Sequence, residues 1–84
     1  MVVHQLKVLS RSYCHLCDDM IAALKSFQSR NQLVFDVEVM DVDADEGLES
    51  KYGDKVPVLL HGEIEICHYF LDESRLAEHL LKPA

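Results

Sequence analysis

Ser12-Tyr13-Cys14-His15-Leu16-Cys17-Asp18-Asp19 stands at a change of hydrophobic rhythm. Before it, Leu6 and Val8 alternate as in a strand; after it, Met20, Ile21, Leu24 and Phe27 recur with helical spacing. The two cysteines therefore fall at a strand-to-helix junction. The first turn of a helix offers unpaired backbone N–H groups and the positive end of the macrodipole, and both favour a thiolate over a thiol. Cys14 is thus the candidate nucleophile. Cys17, one turn further in and within disulfide reach, is the candidate resolving partner. A fall in the Cys14 pKa from about 8.5 to about 7 would raise its thiolate fraction at neutral pH from a few per cent to roughly half.

Size and composition narrow the setting. A chain of 84 residues, 49% apolar, is expected to form one domain spanning residues 1–84 with a small core. Three cysteines cannot give a fully paired disulfide framework, and Cys14 and Cys17 are too close to staple a useful loop, which favours a reactive pair. The start of the chain lacks the basic and apolar regions of a signal peptide, and no run approaches the length of a membrane span. A cytoplasmic, monomeric protein is the expectation. The net charge of −7 leaves no basic stripe, so neither nucleic acid nor membrane is expected as a partner.

Taken in order, residues 4–10 read as a strand, and residues 10–13 as a polar turn in which Ser12 caps the helix that follows. Leu16 to Ser29 reads as that helix, with Ser29-Arg30-Asn31 as its stop. Leu33 to Val42 reads as a second strand, in which Phe35, Val37 and Val39 alternate with Asp36 and Glu38. Asp41-Val42-Asp43-Ala44-Asp45 resembles the start of a calcium loop, but Glu46 and Tyr52 stand where such a loop requires Gly and Glu. A short helix from Asp45 to Tyr52, stopped by Gly53, is the better reading. Lys55 to Leu60 and Ile64 to Phe70 form a hairpin. With Gly62-Glu63 as its turn, Val58 would face Cys67 and Pro57 would face His68. Asp72 caps a last helix with Leu76, Ala77, Leu80 and Leu81 on its buried stripe, ended by Pro83. The order β-α-β-α-β-β-α implies a four-stranded mixed sheet with helices on both faces.

Cys14-x-x-Cys17 after the first strand, Val56-Pro57 opening the hairpin, and this element order together resemble the glutaredoxin branch of the thioredoxin superfamily. The likeness spans essentially the whole chain, and Cys14-His15-Leu16-Cys17-Asp18 with Glu65-Ile66-Cys67-His68-Tyr69 is similar to a group of small bacterial glutaredoxin-like proteins. The resemblance implies a thiol–disulfide oxidoreductase with Cys14 attacking and Cys17 resolving. It implies a cis-proline at Pro57, with Val56 pairing to an extended substrate, and a substrate-side role for Arg11 and Tyr13. Arg11 matches a basic position used near the glutathione carboxylate. Lys55 and Arg11 would favour a thiolate at Cys14, Asp18 and Asp19 would oppose it, and His15 would help only when protonated.

The departures point elsewhere for the co-substrate. His15-Leu16 replaces the usual Pro-Tyr or Pro-Phe between the cysteines, and Ile66-Cys67-His68 through Asp72 replaces the Gly-Gly and Asp that grip glutathione. The chain also lacks the tryptophan that precedes the thioredoxin motif. No resident cofactor is expected, and these changes count against glutathione as co-substrate. The expected partners are a protein or small-molecule disulfide and an unspecified electron donor. A competing reading is a zinc site from Cys14, Cys17, Cys67 and either His15 or His68, although structural zinc usually takes two knuckles of close ligands. A thioredoxin-like interaction module without turnover is another. Cys67 reads first as a small buried hydrophobe and second as a third thiol, while His4, His61 and His79 read as surface residues.

Overall fold

The strand His4–Ser10, here β1, buries Leu6 and Val8 on one side and Leu9 on the other and lies inside the sheet, between β2 and β3. In the computed structural model, which describes residues 4–81, Leu6, Val8 and Leu9 are all buried. β1 is followed by α1 (His15–Asn31), β2 (Phe35–Asp41), a 3-10 turn (Val42–Ala44), α2 (Glu46–Tyr52), β3 (Val58–His61), β4 (Ile64–His68) and α3 (Glu73–Leu81). The strand order is β2-β1-β3-β4. β1 pairs parallel with β2 through the α1 crossover and antiparallel with β3, and β3 pairs antiparallel with β4, which is the expected mixed sheet.

Alternation distributes the side chains to two cores. On one face, Leu6, Val8, Leu59, Ile66 and Cys67 pack under Met20, Leu24 and Phe27 of α1 and Leu76 and Leu80 of α3. On the other, Leu9, Val58 and Leu60 pack with Val42 and Tyr52, so the 3-10 turn and α2 cover that side. The second face is thereby covered at the Leu9 end of β1, while Gln5 and Lys7 on the same side stay exposed.

Several boundaries differ from the sequence reading, each for a local reason. α1 runs on to Asn31, because the residue that leaves helical geometry is Gln32, at φ 51°, rather than Ser29. Cys14, not Ser12, is its N-cap. β2 is shorter than Leu33–Val42: Val42 turns inward to full burial at the 3-10 turn, and Asp41 caps that turn by accepting from the Asp43 N–H at 2.8 Å. Asp45 caps α2 by accepting from the N–H groups of Gly47 and Leu48, at 2.8 and 3.1 Å. The acidic run is therefore engaged in capping.

The hairpin needs a larger correction. β3 starts only at Val58, since the Lys55 N–H bonds back to the Tyr52 carbonyl at 2.8 Å and Pro57 precedes the ladder. Gly62 takes φ +66° in the turn, a conformation that favours glycine. His61 faces Ile64 across the Gly62-Glu63 turn, but a bulge between Leu59 and Leu60 shifts the rest, so Cys67 faces Leu59 rather than Val58, and His68 faces Val58 rather than Pro57. The shift buries Ile66 and Cys67 in succession against the same core, which strict alternation would forbid. Asp72 caps α3, its Oδ1 accepting from the Arg75 N–H at 3.1 Å. Leu76 and Leu80 are buried as expected, while the Leu81 side chain and the Pro83 stop lie outside the described residues.

Candidate active site

Strand direction gathers the site at one end of the sheet. Leu9 pairs with Val58 and Val58 with His68, so the C-terminal end of β1, the start of β3 and the end of β4 lie side by side. The turn Arg11–Cys14 follows β1, Val56-Pro57 directly precedes β3 and Tyr69-Phe70 follows β4, so all three adjoin that end.

Cys14 and Cys17 form a disulfide across the first turn of α1, their Cα atoms 5.2 Å apart. Cys14 is half-buried and Cys17 is 2% exposed, so only the first sulfur faces an approaching reagent. The Cys17 backbone N–H donates to Cys14 Sγ at 3.1 Å. That donor belongs to the first helical turn and has no carbonyl partner within the helix, so it remains available to a Cys14 thiolate after reduction. His15, Asp18 and Asp19 are exposed around the rim.

The Val56-Pro57 peptide bond is cis, and Pro57 is fully buried. The Pro57 carbonyl accepts from the Tyr69 N–H at 2.8 Å, continuing the β3–β4 ladder past its last strand residue. Among the described residues the Val56 backbone N–H and C=O have no backbone partner. Tyr69, at φ 66°, donates its hydroxyl to the Asp54 carbonyl at 2.8 Å and so ties the loop before Pro57 to the segment after β4. In the sequence this tyrosine stood out only within the segment that replaces the Gly-Gly of glutaredoxins, with no role of its own.

Tyr13 is fully exposed at φ 61°, and Phe70 is 68% exposed. A groove of about 180 Å³ runs between α1 and the β4–α3 segment, lined by Leu16, Asp19, Met20, Tyr69, Phe70 and Leu71. On the far side of Phe70, a larger open groove of about 630 Å³ passes Cys67, His68 and Asp72.

Arg11 and the three histidines take up surroundings other than those expected, whereas Cys67 lies in the core as its first reading had it. The Arg11 guanidinium is held by Asp43 on the 3-10 turn, with Nε–Oδ2 at 3.2 Å and Nη2–Oδ1 at 3.1 Å. Cys67 is 8% exposed in the core, its Sγ accepting from the Asp72 N–H at 3.5 Å, and burial pushes its thiol above the ordinary value. Among the described residues no group of three or more His, Cys, Asp or Glu side chains stands around a point that would hold a metal. His4, His61 and His79 are half-buried rather than simply exposed: the His61 ring lies edge-on to both others, with centroids 5.4 and 5.9 Å away. Burial, then the neighbouring His4 and His79, lowers the His61 pKa.

A four-stranded mixed sheet with helices on both faces, and with a Cys-x-x-Cys pair at the start of the first helix, defines a thioredoxin-like protein. Thioredoxin 1 from Thermosipho africanus shares this fold, with a TM-score of 0.56 at 17% identity over 92% of this chain and 94% of that one. The chain belongs to the family described as Glutaredoxin-like domain (DUF836), whose model matches residues 5–81. It is similar to protein Ne2328 from Nitrosomonas europaea, solved by solution NMR, with a TM-score of 0.84 and 39% identity over 95% of this chain and 94% of that one. Uncharacterized protein Rv0508 from Mycobacterium tuberculosis is 31% identical over 75 residues, covering 86% of this chain and 77% of that protein. Among the described residues, no helix is long and apolar enough to cross a membrane.

Proposed function

We propose that this chain is a thiol–disulfide oxidoreductase acting through the Cys14/Cys17 dithiol. The observation that carries the reading is the asymmetry of the pair: a half-buried Cys14 sulfur accepting from the Cys17 N–H, and a second sulfur covered behind it. In the reduced protein, the Cys14 thiolate attacks one sulfur of a substrate disulfide, forming a mixed disulfide and expelling the other sulfur as a thiolate that takes up a proton. The Cys17 thiol then loses its proton and attacks Cys14 Sγ, expelling the second substrate thiolate and leaving the Cys14–Cys17 disulfide. A dithiol or pair of monothiols from an electron donor returns two electrons and two protons.

Free Val56 backbone groups beside a buried Pro57 suit an extended polypeptide, which would add its backbone there as a short strand. Exposed Tyr13 and Phe70 and the apolar groove beside Leu16 supply contact area for such a chain. These features favour a protein disulfide over glutathione, as do the engaged Arg11 and the bulk of Tyr69. No resident cofactor is needed, and the monomer suffices. The cycle belongs in the cytoplasm, where donors keep thiols reduced.

The test is reduction of a model protein disulfide by wild type and by Cys17→Ser. Wild type should turn over with a dithiol donor, whereas Cys17→Ser should stop at a Cys14 mixed disulfide visible by mass spectrometry. Absence of both turnover and adduct would leave a non-catalytic interaction module as the better description.

A further inference from the structure

Arg11 is the first residue after β1, and it opens the tight turn whose fourth residue is Cys14. The first and fourth residues of such a turn lie close together, so whatever fixes one limits where the other stands. The side chain of Arg11 is fixed by partners more than thirty residues away. Its fork meets Asp43 through two bonds, at 3.2 and 3.1 Å, and Glu49 Oε1 lies 3.8 Å from Nη2.

The seat is built on rigid backbone. Asp43 rides on the 3-10 turn anchored by buried Val42, and its own N–H is held by Asp41 at 2.8 Å. Gly53 completes the seat: a Cβ there would stand 3.1 Å from Arg11 Nη2 and 2.5 Å from the Glu49 carbonyl oxygen. Two carboxylates around one guanidinium leave the cluster net negative, so it is a poor receptor for an anion. It is equally poor as a source of positive potential for a thiolate. A fork bound side-on to a carboxylate has, however, a defined geometry that a lysine cannot reproduce.

We propose, on the reading of Cys14 as the attacking thiol, that Arg11 is a positioning residue: clamped to Asp43, it fixes the turn that presents Cys14 Sγ to the Cys17 N–H. It contributes neither a substrate-carboxylate contact nor a stabilising charge. Charged and titratable groups along the same end of the sheet, namely His15, Asp18, Asp19, Asp54 and Lys55, are common to every variant below and drop out of the comparison.

The experiment measures the alkylation rate of Cys14 against pH in reduced wild type, Arg11→Met, Arg11→Lys and Asp43→Asn, with circular dichroism establishing that each is folded. A clamp predicts that all three variants move the midpoint upward by about half a pH unit or more, because the thiolate loses part of its hydrogen bond. A charge effect predicts the opposite for Asp43→Asn, which unmasks the guanidinium and would move the midpoint downward, and predicts wild-type behaviour for Arg11→Lys. Either of those results, or no movement in any variant, overturns the clamp. A second readout compares oxidised glutathione with hydroxyethyl disulfide: the clamp lowers turnover of both alike in Arg11→Met, whereas a carboxylate contact raises KM for the first alone. Failure of the underlying reading looks different, since wild type would then alkylate with a midpoint at or above about 8.5.

Discussion

Treating the fully reduced protein with a limiting amount of iodoacetamide at pH 7 should label Cys14 more than about tenfold faster than Cys67. Alkylation consumes the thiolate, so relative rates follow ionised fraction multiplied by access. An ordinary thiol, with a pKa of about 8.5, is only a few per cent ionised at pH 7, and burial pushes Cys67 above the ordinary value, so its fraction is smaller still. Cys14 has the opposite setting, at the mouth of a 17-residue helix with the Cys17 N–H directed at its sulfur. Were that setting to leave the thiol about half ionised, as a helix N-terminus can, the ratio would exceed about ten before access is counted. Access widens it, as Cys67 is 8% exposed and Cys14 is half-buried. Peptide mapping by mass spectrometry over a time course reads both rates in one sample. Labelling of Cys67 within tenfold of Cys14 would refute the reasoning, because it would mean that neither helix nor burial separates the two thiols.

Three further outcomes follow from the same structure. Cys67→Ser should leave disulfide reduction within twofold of wild type, as measured on the model protein disulfide, while lowering the urea midpoint because a hydroxyl replaces the sulfur in the core. Leu76→Ala removes a fully buried side chain that holds α3 to the sheet. It should lose about 2–4 kcal/mol in chemical denaturation and lower Tm by roughly 10–25 °C. His61 has a folded-state pKa below 6.5, so the unfolded chain takes up more protons as pH falls through that value. Its contribution to stability is therefore complete above about pH 6.5 and is lost on acidification toward the folded-state pKa. Urea midpoints at pH 7.5 and 5.5 should differ less in His61→Asn than in wild type, and an unchanged difference would remove His61 from the account.

The order of elements was legible in the residues themselves, because periodicity is local: Leu6 and Val8 announce a strand, Leu24 and Phe27 a helix, and Cys14 and Cys17 fall at their junction. The mixed sheet with helices on both faces followed from that order, through the handedness of the crossover and the length of one hairpin turn. Positions within the hairpin did not, since a bulge at Leu59/Leu60 depends on which neighbour of Cys67 the core can admit. Arg11 shows the same limit, its partner Asp43 lying 32 residues away, and the packing of His4, His61 and His79 joins three elements that never meet in sequence. What the sequence by itself determined is the order of elements and that Cys14 and Cys17 stand at the junction of the first strand and the first helix. Which charge is already neutralised, which thiol is sealed and which backbone groups are left unpaired were decided only by tertiary structure, because burial and long-range pairing depend on what the rest of the chain packs beside each group.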